Sequence, residues 1–476
     1  NLQQTPIAIT AISAEMLEMR SQTRVADVTA QAPNVLLQVN PAGGGNSMRA
    51  FIRGVGQSDQ SPSVDPGVGI YVDDVYFSSI TGSVFELLDL DRVEILRGPQ
   101  GTLAGMNSLG GSVKLFSRKP DGEGGFVEAT FGELHRRDLR ASVDFTLAPE
   151  KLFMRLSGLA SERDGYIDRL DYACVHPNDD IVVSGALPRR TSRSDCKLGT
   201  LGGRQLSALR ASLRWVASER LEVNFIADGT NDNSETQASV LRNTGEFIPG
   251  LSVSYQGVPY DNRFVPFGPN RGDTVINDPY VTYANFINPG TTYTPIDVGG
   301  TPRANNGTFF AEPANKLDAW GVSNTVDFQL SDRYSLKFIS GYREYKTLSG
   351  QDNDGSPVAI LQSLSDFTHT QASHEVRFNG AALGELLEYT LGAIYYDQET
   401  TYATRESDPF IPLGTDPFNR PIFDFIQRDT ATNEFKGLFA HTLWHVTDKF
   451  NVAAGVRYTV QNKDYLFFRL YAVGVD

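Results

Sequence analysis

The feature that most constrains this chain is an alternation of apolar and polar residues over segments of about ten residues. In residues 136–147, Leu139 and Phe145 fall on one face of an extended chain and Arg140 falls on the other. Period two is the side-chain periodicity of a β-strand. The same pattern returns in 208–215, 221–228 and 450–458. Segments of about ten residues are long enough for a tilted strand to cross a bilayer.

The connections between these segments alternate between short and long. Short turns are predicted at 147–151, 217–220, 331–334 and 446–449. Long irregular stretches are predicted at 164–203, 232–316, 348–369 and 401–432. Short turns at one end and long loops at the other are typical of an outer-membrane β-barrel. A soluble β-sandwich or solenoid is the alternative, because its strands alternate as well.

Composition excludes some functions. The formal net charge of −15 argues against nucleic acid as a partner, because phosphates would be repelled. The mean hydropathy of −0.27 and the lack of an 18-residue apolar run argue against a transmembrane helix. Neither observation argues against a β-barrel, whose strands are polar on one face.

Residues 1–119 differ from the rest, with short strands, short helices and many glycines. Five glycines lie close together, at Gly98, Gly101, Gly105, Gly110 and Gly111. A phosphate-binding loop is rejected, because no Gly-Lys-Ser/Thr follows and the segment leads into the strand VKLFS, not into a helix. The glycines instead predict tight turns and close approach of neighbouring backbone. We predict one domain over 1–119 and a strand-rich domain over 120–476.

About eleven strands are expected after residue 120. Barrels of this type normally have an even number of strands and close on themselves, because an open edge cannot hydrogen-bond in lipid. The final residues AVGVD lack the aromatic ending usual for such barrels. We therefore expect the barrel to be truncated at the C-terminus.

Several motifs carry a resemblance to a known family. Four segments together resemble the plug domain of TonB-dependent outer-membrane receptors: PIAITAIS (6–13), FIRGVG (51–56), DPGVGIYVDDVY (65–76) and RVEILRGPQGTLAGMNSLGGSVKLFSRKP (92–120). SHEVRF (373–378) and residues 438–459 resemble barrel segments of the same receptors. Ala104 and Met106 depart from the pattern, since relatives often have Tyr and Arg there.

The resemblance implies a transmembrane antiparallel β-barrel of 22 strands, about half of them present, with a mixed α/β plug in the lumen. It implies a bacterial outer-membrane receptor of Gram-negative cells that imports a scarce ligand without enzymatic activity or a cofactor. TonB would act through a segment upstream of residue 1. A ferric siderophore is the most frequent ligand, with haem, vitamin B12 or oligosaccharide as alternatives. A passive barrel or an adhesin is the competing class.

The resemblance also implies a lock between plug and barrel. Arg53 and Arg97 match positions where the family places plug arginines that pair with glutamates on the barrel wall. One alternative is that the partners lie in the half of the barrel that this chain is expected to lack. The other is that both arginines bind carbonyl groups inside the plug.

Candidate partners for these arginines follow from strand facing. In 373–378, Val376 is assigned to lipid, which turns Glu375 toward the lumen. Phe439 is assigned to lipid in its own strand, which turns Glu434 toward the lumen as well.

Ligand recognition is expected in the long loops. Candidate stacking residues lie between 255 and 296: Tyr255, Tyr260, Phe264, Tyr280 and Tyr283. Such aromatic side chains can stack on a siderophore or sugar ring. The alternative is that they pack the loops together.

Two cysteines and a few acidic or histidine residues remain. Cys174 and Cys196 lie in one long loop, and a protein that folds in the oxidising periplasm is expected to join them. No metal site is expected: His369 and His374 are five residues apart in a strand and face opposite sides. Asp73 and Asp74 are interpreted as solvated turn charges.

The lipid-facing surface is predicted from the apolar face of the strands. It should include Leu139, Phe145, Trp215, Trp320 and Tyr458. Trp215, next to a short turn, should belong to the periplasmic aromatic girdle.

Overall fold

The computed structural model of the chain describes residues 8–20, 22, 24–40, 46–79, 89–99, 101, 108–245, 254–255, 258–288, 309–384, 386–407, 424–447 and 450–471.

The N-terminal domain contains eight short strands and one α-helix within the described residues. They are β1 (Ala8–Ser13), α1 (Ala14–Met19), β2 (Val35–Val39), β3 (Met48–Ile52), β4 (Val55–Gln57), β5 (Val68–Val72), β6 (Val75–Phe77), β7 (Leu90–Arg97) and β8 (Gly111–Ser117). A 3₁₀ helix covers Val25–Gln31. Five strands form a sheet in the order β1-β7-β8-β5-β6, and β2, β3 and β4 form a second sheet.

Alternating apolar residues give this domain one hydrophobic core. Ile52, Val93, Ile95 and Val113 are completely buried between the two sheets and the helices. Helix α1 begins where the Ser13 hydroxyl accepts a hydrogen bond from the backbone N–H of Met16, as its position before the helix predicts.

Three of the five clustered glycines occupy positions that a side chain would strain. Gly98 and Gly111 have φ angles of +114° and +142°, and a Cβ at Gly111 would also clash with the Leu96 carbonyl. A Cβ at Gly110 would lie 2.7 Å from the Val55 carbonyl oxygen. A Cβ at Gly101 would meet no described atom within 4 Å, and Gly105 lies outside the described residues.

The rest of the chain is built mainly from long strands. They are β9 (Gly125–Gly132), β10 (Arg136–Ala148), β11 (Leu152–Arg163), β12 (Ile167–Leu170), β13 (Lys197–Leu201), β14 (Arg204–Ser218), β15 (Leu221–Glu235), β16 (Ser254–Tyr255), β17 (Val258–Pro259), β18 (Val281–Thr282), β19 (Ile287–Asn288), β20 (Phe309–Phe310), β21 (Ala314–Ser331), β22 (Tyr334–Asp352), β23 (Gln362–Ala382), β24 (Leu387–Ser407), β25 (Asp424–Thr447) and β26 (Phe450–Tyr471). Two short helices, α2 (Tyr172–Val175) and α3 (Asp180–Val183), follow β12.

Eleven of these strands form one antiparallel sheet, which we call the wall. Its order is β9-β10-β11-β14-β15-β21-β22-β23-β24-β25-β26, so the long strands pair in sequence order. The connections β10–β11, β14–β15 and β21–β22 are short and lie at one end of the wall, as the sequence predicts. The long loops lie at the other end, together with the short β9–β10 turn at 133–135. Among the described residues, no helix is long and apolar enough to cross a bilayer.

The N-terminal domain lies against one face of the wall, the inner face. The Arg343 guanidinium lies 4.7 Å from the ring centroid of Phe77, and the methyl groups of Val75 pack over Gly341. The opposite, outer face exposes apolar side chains, including Leu139, Phe145, Trp215, Trp320 and Tyr458. A sheet with an exposed apolar face has the surface that a membrane wall requires.

The long loops form a folded unit that we call the cap, made of the described parts of residues 164–203, 236–288 and 353–361. Strands β13, β12 and β18 form a small sheet in it, and Cys174 and Cys196 are joined by a disulfide with Cα atoms 5.5 Å apart. Its hydrophobic core brings α2, α3 and all three loops together.

We predict that replacing both Cys174 and Cys196 by serine loosens the cap without disturbing the wall. Closing a loop of 22 residues contributes about 3 kcal/mol in the chain-entropy model. Limited proteolysis should cut residues 164–203 much faster in the variant than in the unaltered protein. The unaltered protein treated with reductant should be cut as fast as the variant. Equal cutting rates in all three samples would show that the disulfide does not hold the cap.

Candidate functional site

A buried ionic cluster joins the N-terminal domain to the wall near the short turns. Arg155 on β11 is 2% exposed, and its Nη2 donates to an Asp89 carboxylate oxygen at 2.7 Å. The same guanidinium also binds Asp144 on β10. The hydroxyl groups of Ser142 and Ser157 donate to the other Asp89 oxygen. Asp89 therefore accepts hydrogen bonds from two wall strands at once.

Asp89 stays ionised in this setting. Burial alone would raise its pKa, but the hydrogen bonds from Arg155 and Ser157 outweigh burial and lower the pKa below its usual value. A carboxylate with a lowered pKa contributes its stabilisation at every pH above the unfolded-state value of about 3.9. The contribution is lost only as the pH falls through the lower folded-state value.

A second contact is made by the turn between β5 and β6. Asp74, with a φ of +68°, points its carboxylate toward Lys337 at 3.3 Å and Arg377 at 3.9 Å on the wall. Lys114 of β8 lies 3.8 Å away on the domain side. Burial would raise the pKa of Asp74, but these three cations outweigh burial and lower it. The interpretation of Asp73 and Asp74 as solvated turn charges is wrong, since both carboxyl groups are largely buried.

Further contacts extend across the interface. Lys463 on β26 donates to Asp65 at 2.8 Å. The interface also contains an aromatic cluster, in which Tyr71 and Tyr76 of the domain pack against Tyr396 and Phe435 of the wall. At the junction between domain and wall the polarity is reversed, because Lys119 binds Glu222 at 2.7 Å.

The two predicted plug arginines have other neighbours among the described residues. Arg97 donates to the carbonyl of Pro33 at 3.4 Å, and Arg53 is exposed in the β3–β4 turn with its guanidinium beside Gly98. Within the described part of the chain, neither arginine forms an ion pair with Glu375 or Glu434. The alternative of carbonyl binding inside the domain fits Arg97.

The two predicted glutamates differ from each other. Glu375 does face inward, but its carboxylate binds Arg377 of its own strand at 2.6 and 2.9 Å. Glu434 lies on the outer face and pairs with Lys436 at 2.7 Å, so the prediction that it faces inward is wrong. The error has a physical cause: Phe439, which was assigned to lipid, packs on the inner face at 5% exposure.

The predicted ligand-binding aromatics fall into distinct groups. Phe264 and Tyr283 are buried in the core of the cap, and the hydroxyl of Tyr260 donates to the Asp354 carbonyl at 3.0 Å. Tyr280 is 60% exposed. The side chain of Tyr255 lies outside the described residues.

Tyr283 belongs to a buried polar cluster that ties two loops together. Its hydroxyl donates to Asp273, and the Nε2 of His176, the residue directly after α2, lies 3.2 Å from the same carboxylate. Burial and the neighbouring Asp273 raise the pKa of Tyr283, so the phenol remains protonated. Burial would raise the pKa of Asp273, but the hydrogen bonds from His176 and Tyr283 lower it.

An open groove of about 1030 Å³ lies between the cap and the loop end of the wall, and Tyr280 lines it. Charged side chains of both signs share the lining, among them Glu162, Asp168, Lys197 and Arg204. The groove is large enough for a ligand of several hundred daltons. It offers hydrogen bonding and the exposed rings of Tyr166 and Tyr280.

Comparison with known proteins identifies the family. The model of the TonB-dependent receptor plug domain matches residues 1–112, and the model of the TonB-dependent receptor-like β-barrel matches residues 255–475. The chain belongs to the TonB-dependent receptors. The N-terminal domain is accordingly the plug.

Similar proteins include the pesticin receptor of Yersinia enterocolitica, which is 39% identical over 98 residues, 20% of this chain and 14% of that protein. The "Probable TonB-dependent siderophore receptor PiuA" of Acinetobacter baumannii is 29% identical over 144 residues, 30% of this chain and 18% of that protein.

A similar solved structure is the ferric yersiniabactin uptake receptor FyuA of Yersinia pestis, with a TM-score of 0.66 and 16% identity. The match covers 97% of this chain and 58% of that receptor, so the chain spans little more than half of its length. At this identity the likeness shows the fold.

We predict that Arg155→Met weakens the seating of the plug. The change leaves Asp89 and Asp144 buried without their cation, which typically costs about 3–5 kcal/mol. Leak of small solutes into cells with matched receptor levels should rise. Arg193→Met is the control, since Arg193 forms an exposed pair with Asp195 in the cap, and exposed pairs contribute little to stability. The assignment fails if the two variants leak equally.

We predict that reversing the charge of Asp74 weakens the contact between plug and wall. Asp74→Lys should loosen the plug because it places a fourth cation beside Lys114, Lys337 and Arg377. Adding Lys337→Asp to that variant should recover part of the seating by restoring one opposite-charge pair. The readout is the rate of protease cleavage in the plug of the purified receptor. If the second change makes cleavage faster still, the contact does not act through charge.

Proposed function

We propose that this protein acts in the outer membrane of a Gram-negative bacterium as an active-transport receptor that imports a ferric siderophore. The observation that carries the proposal is the plug seated on the inner face of the wall by buried ion pairs. A lumen occupied by a folded domain needs work to open, which a passive pore does not. The proposed role is binding and transport, without a catalytic step.

The contacts between plug and wall suit a gate that opens and reseats. Charge-assisted hydrogen bonds such as those of Asp89 with Arg155 are directional and strong when buried. They are also reversible, because water can solvate both partners once the plug moves. We propose that TonB supplies the force through a segment upstream of residue 1.

The proposed ligand class rests on the relatives and on the groove. PiuA is named as a probable siderophore receptor and FyuA as a ferric yersiniabactin uptake receptor, which favours a ferric siderophore here. Of the predicted aromatic residues, Tyr280 is the best placed for ligand contact, since it is exposed and lines the groove. Tyr166 is exposed and lines the groove as well. Phe264 and Tyr283 instead pack in the core of the cap.

The test is transport by a deletion strain that carries the native gene on a plasmid. Uptake of radioiron bound to siderophores of the catecholate, hydroxamate and phenolate classes should return with the gene and should require an intact tonB gene. Haem, vitamin B12 and oligosaccharides are tested in parallel. Uptake of one of these instead would overturn the siderophore assignment, and uptake that does not need TonB would overturn active transport.

We predict that Tyr280→Ala weakens binding of the transported ligand by about 1–3 kcal/mol, the usual effect of losing an aromatic contact residue. Tyr260→Phe is the matched control, because its hydroxyl bonds only within the cap. Binding is measured by fluorescence quenching on the purified receptor. Unchanged affinity of the Tyr280 variant would move the ligand site away from this groove.

A further inference from the structure

Two buried acidic side chains meet at the loop end of β22, in the sequence Asp352-Asn-Asp354-Gly-Ser356. Asp352 and Asp354 are 6% and 8% exposed, and their carboxyl groups lie within hydrogen-bonding reach of one another. Backbone N–H groups hold them in place: that of Asn285 donates to Asp352 at 2.6 Å, and that of Leu361 donates to Asp354 at 2.9 Å.

A third buried polar side chain, Gln362, neighbours Asp352 in the sheet. Gln362 is completely buried and sits directly opposite Asp352 in the β22–β23 ladder, so both side chains project from the same face. Its Nε2 donates to the Asn285 carbonyl, while the Asn285 N–H donates to Asp352. The orientation of the amide is thereby fixed, and its Oε1 is buried without a hydrogen-bond partner.

Within the described residues, no lysine or arginine forms an ion pair with either carboxylate, although Arg169 is close enough to interact electrostatically with Asp352. The Arg169 guanidinium lies over the Phe286 ring at 4.9 Å. Two buried carboxylates in contact repel each other strongly unless they share a proton or bind a cation.

We propose that Asp352, Asp354 and the Oε1 of Gln362 bind a divalent cation of the oxygen-seeking class, with calcium as the best fit. Both oxygens of Asp352 and the Oδ2 of Asp354 accept one N–H each and retain a second lone pair for a metal. The Oδ1 of Asp354 is occupied by the N–H and hydroxyl of Ser356. No group of three or more His, Cys, Asp or Glu side chains suited to a metal occurs among the described residues, so the amide oxygen and water complete the shell. Calcium accepts such mixed and irregular oxygen ligands more readily than magnesium does.

The cation would join separate parts of the cap. Asp354 belongs to residues 353–361, and its carbonyl accepts the Tyr260 hydroxyl. Asn285 belongs to another loop, and its side-chain oxygen binds Arg190 from a third. A metal at this point therefore fixes three loops relative to β22 and β23. This inference does not depend on which ligand the receptor transports.

The test is calcium binding to the full-length receptor after chelator treatment, measured by isothermal titration calorimetry and by protease cleavage of the cap. The unaltered protein should bind one calcium ion per receptor molecule at this site, and calcium should slow protease cleavage of the cap. Asp354→Asn should weaken affinity on the order of tenfold, because it removes one of two ligand charges. Asp278→Asn is the matched control: its carboxylate also accepts a backbone N–H in the cap, from Tyr280, and affinity should not change.

Gln362→Glu separates the proposal from a simple folding defect. A third carboxylate should tighten calcium binding and, without calcium, should speed cleavage of the cap. If calcium neither binds nor protects the unaltered protein, the two carboxyl groups share a proton instead and the metal site is refuted. Equal loss of affinity in the Asp354 and Asp278 variants would refute it as well.

Discussion

The arrangement of plug and wall depends most on one buried guanidinium. Arg155 binds Asp89 of the plug and Asp144 of the neighbouring strand while almost no part of it is exposed. Such a cluster does not have to add net stability over an apolar contact of the same size. It does make any other position of the plug costly, because displacement leaves buried charges without partners. The cluster therefore fixes the position of the plug on the wall more than it strengthens the binding of the plug to the wall.

The polarity of the interface follows one pattern at three places. Asp65, Asp74 and Asp89 of the plug meet lysine or arginine side chains of the wall. The plug therefore presents carboxylates to a wall that supplies the cations, with Lys119 and Glu222 as the exception at the junction. The pKa values of Asp74 and Asp89 are lowered, so these two carboxylates remain charged and their contacts persist at any ordinary external pH.

Much of the architecture could be predicted from the sequence, because strand periodicity is a local property. The alternation around Leu139 and Phe145 identified the outer face, and the shared loop of Cys174 and Cys196 predicted their disulfide. The inner face was harder. Phe435 and Phe439 carry the same apolar character as lipid-facing residues, yet they pack toward the plug, so hydrophobicity alone cannot assign the face of a filled barrel.

The ionic contacts could not be predicted for a different reason. Asp89 and Arg155 are 66 residues apart in the sequence, and neither residue lies in a sequence motif from which its partner could be predicted. One signal was available in the sequence. Arg155, Ser157 and Ser161 lie on the same face of β11, and three polar residues on one face indicate that this face points inward. The aromatic residues of the cap were found from the sequence, but their roles were not. Tyr280 is exposed and Tyr283 is buried, and the sequence does not distinguish these two positions.

The most direct test of this account is a double-mutant cycle between Asp89 and Arg155. Plug stability is measured for the unaltered receptor, Asp89→Asn, Arg155→Met and the double variant, using denaturant-dependent hydrogen exchange of β7 and β8. A direct buried contact predicts a coupling free energy of about 1–3 kcal/mol, with the double variant less destabilised than the sum of the single ones. Additive effects within about 0.3 kcal/mol would contradict the claim that this pair seats the plug.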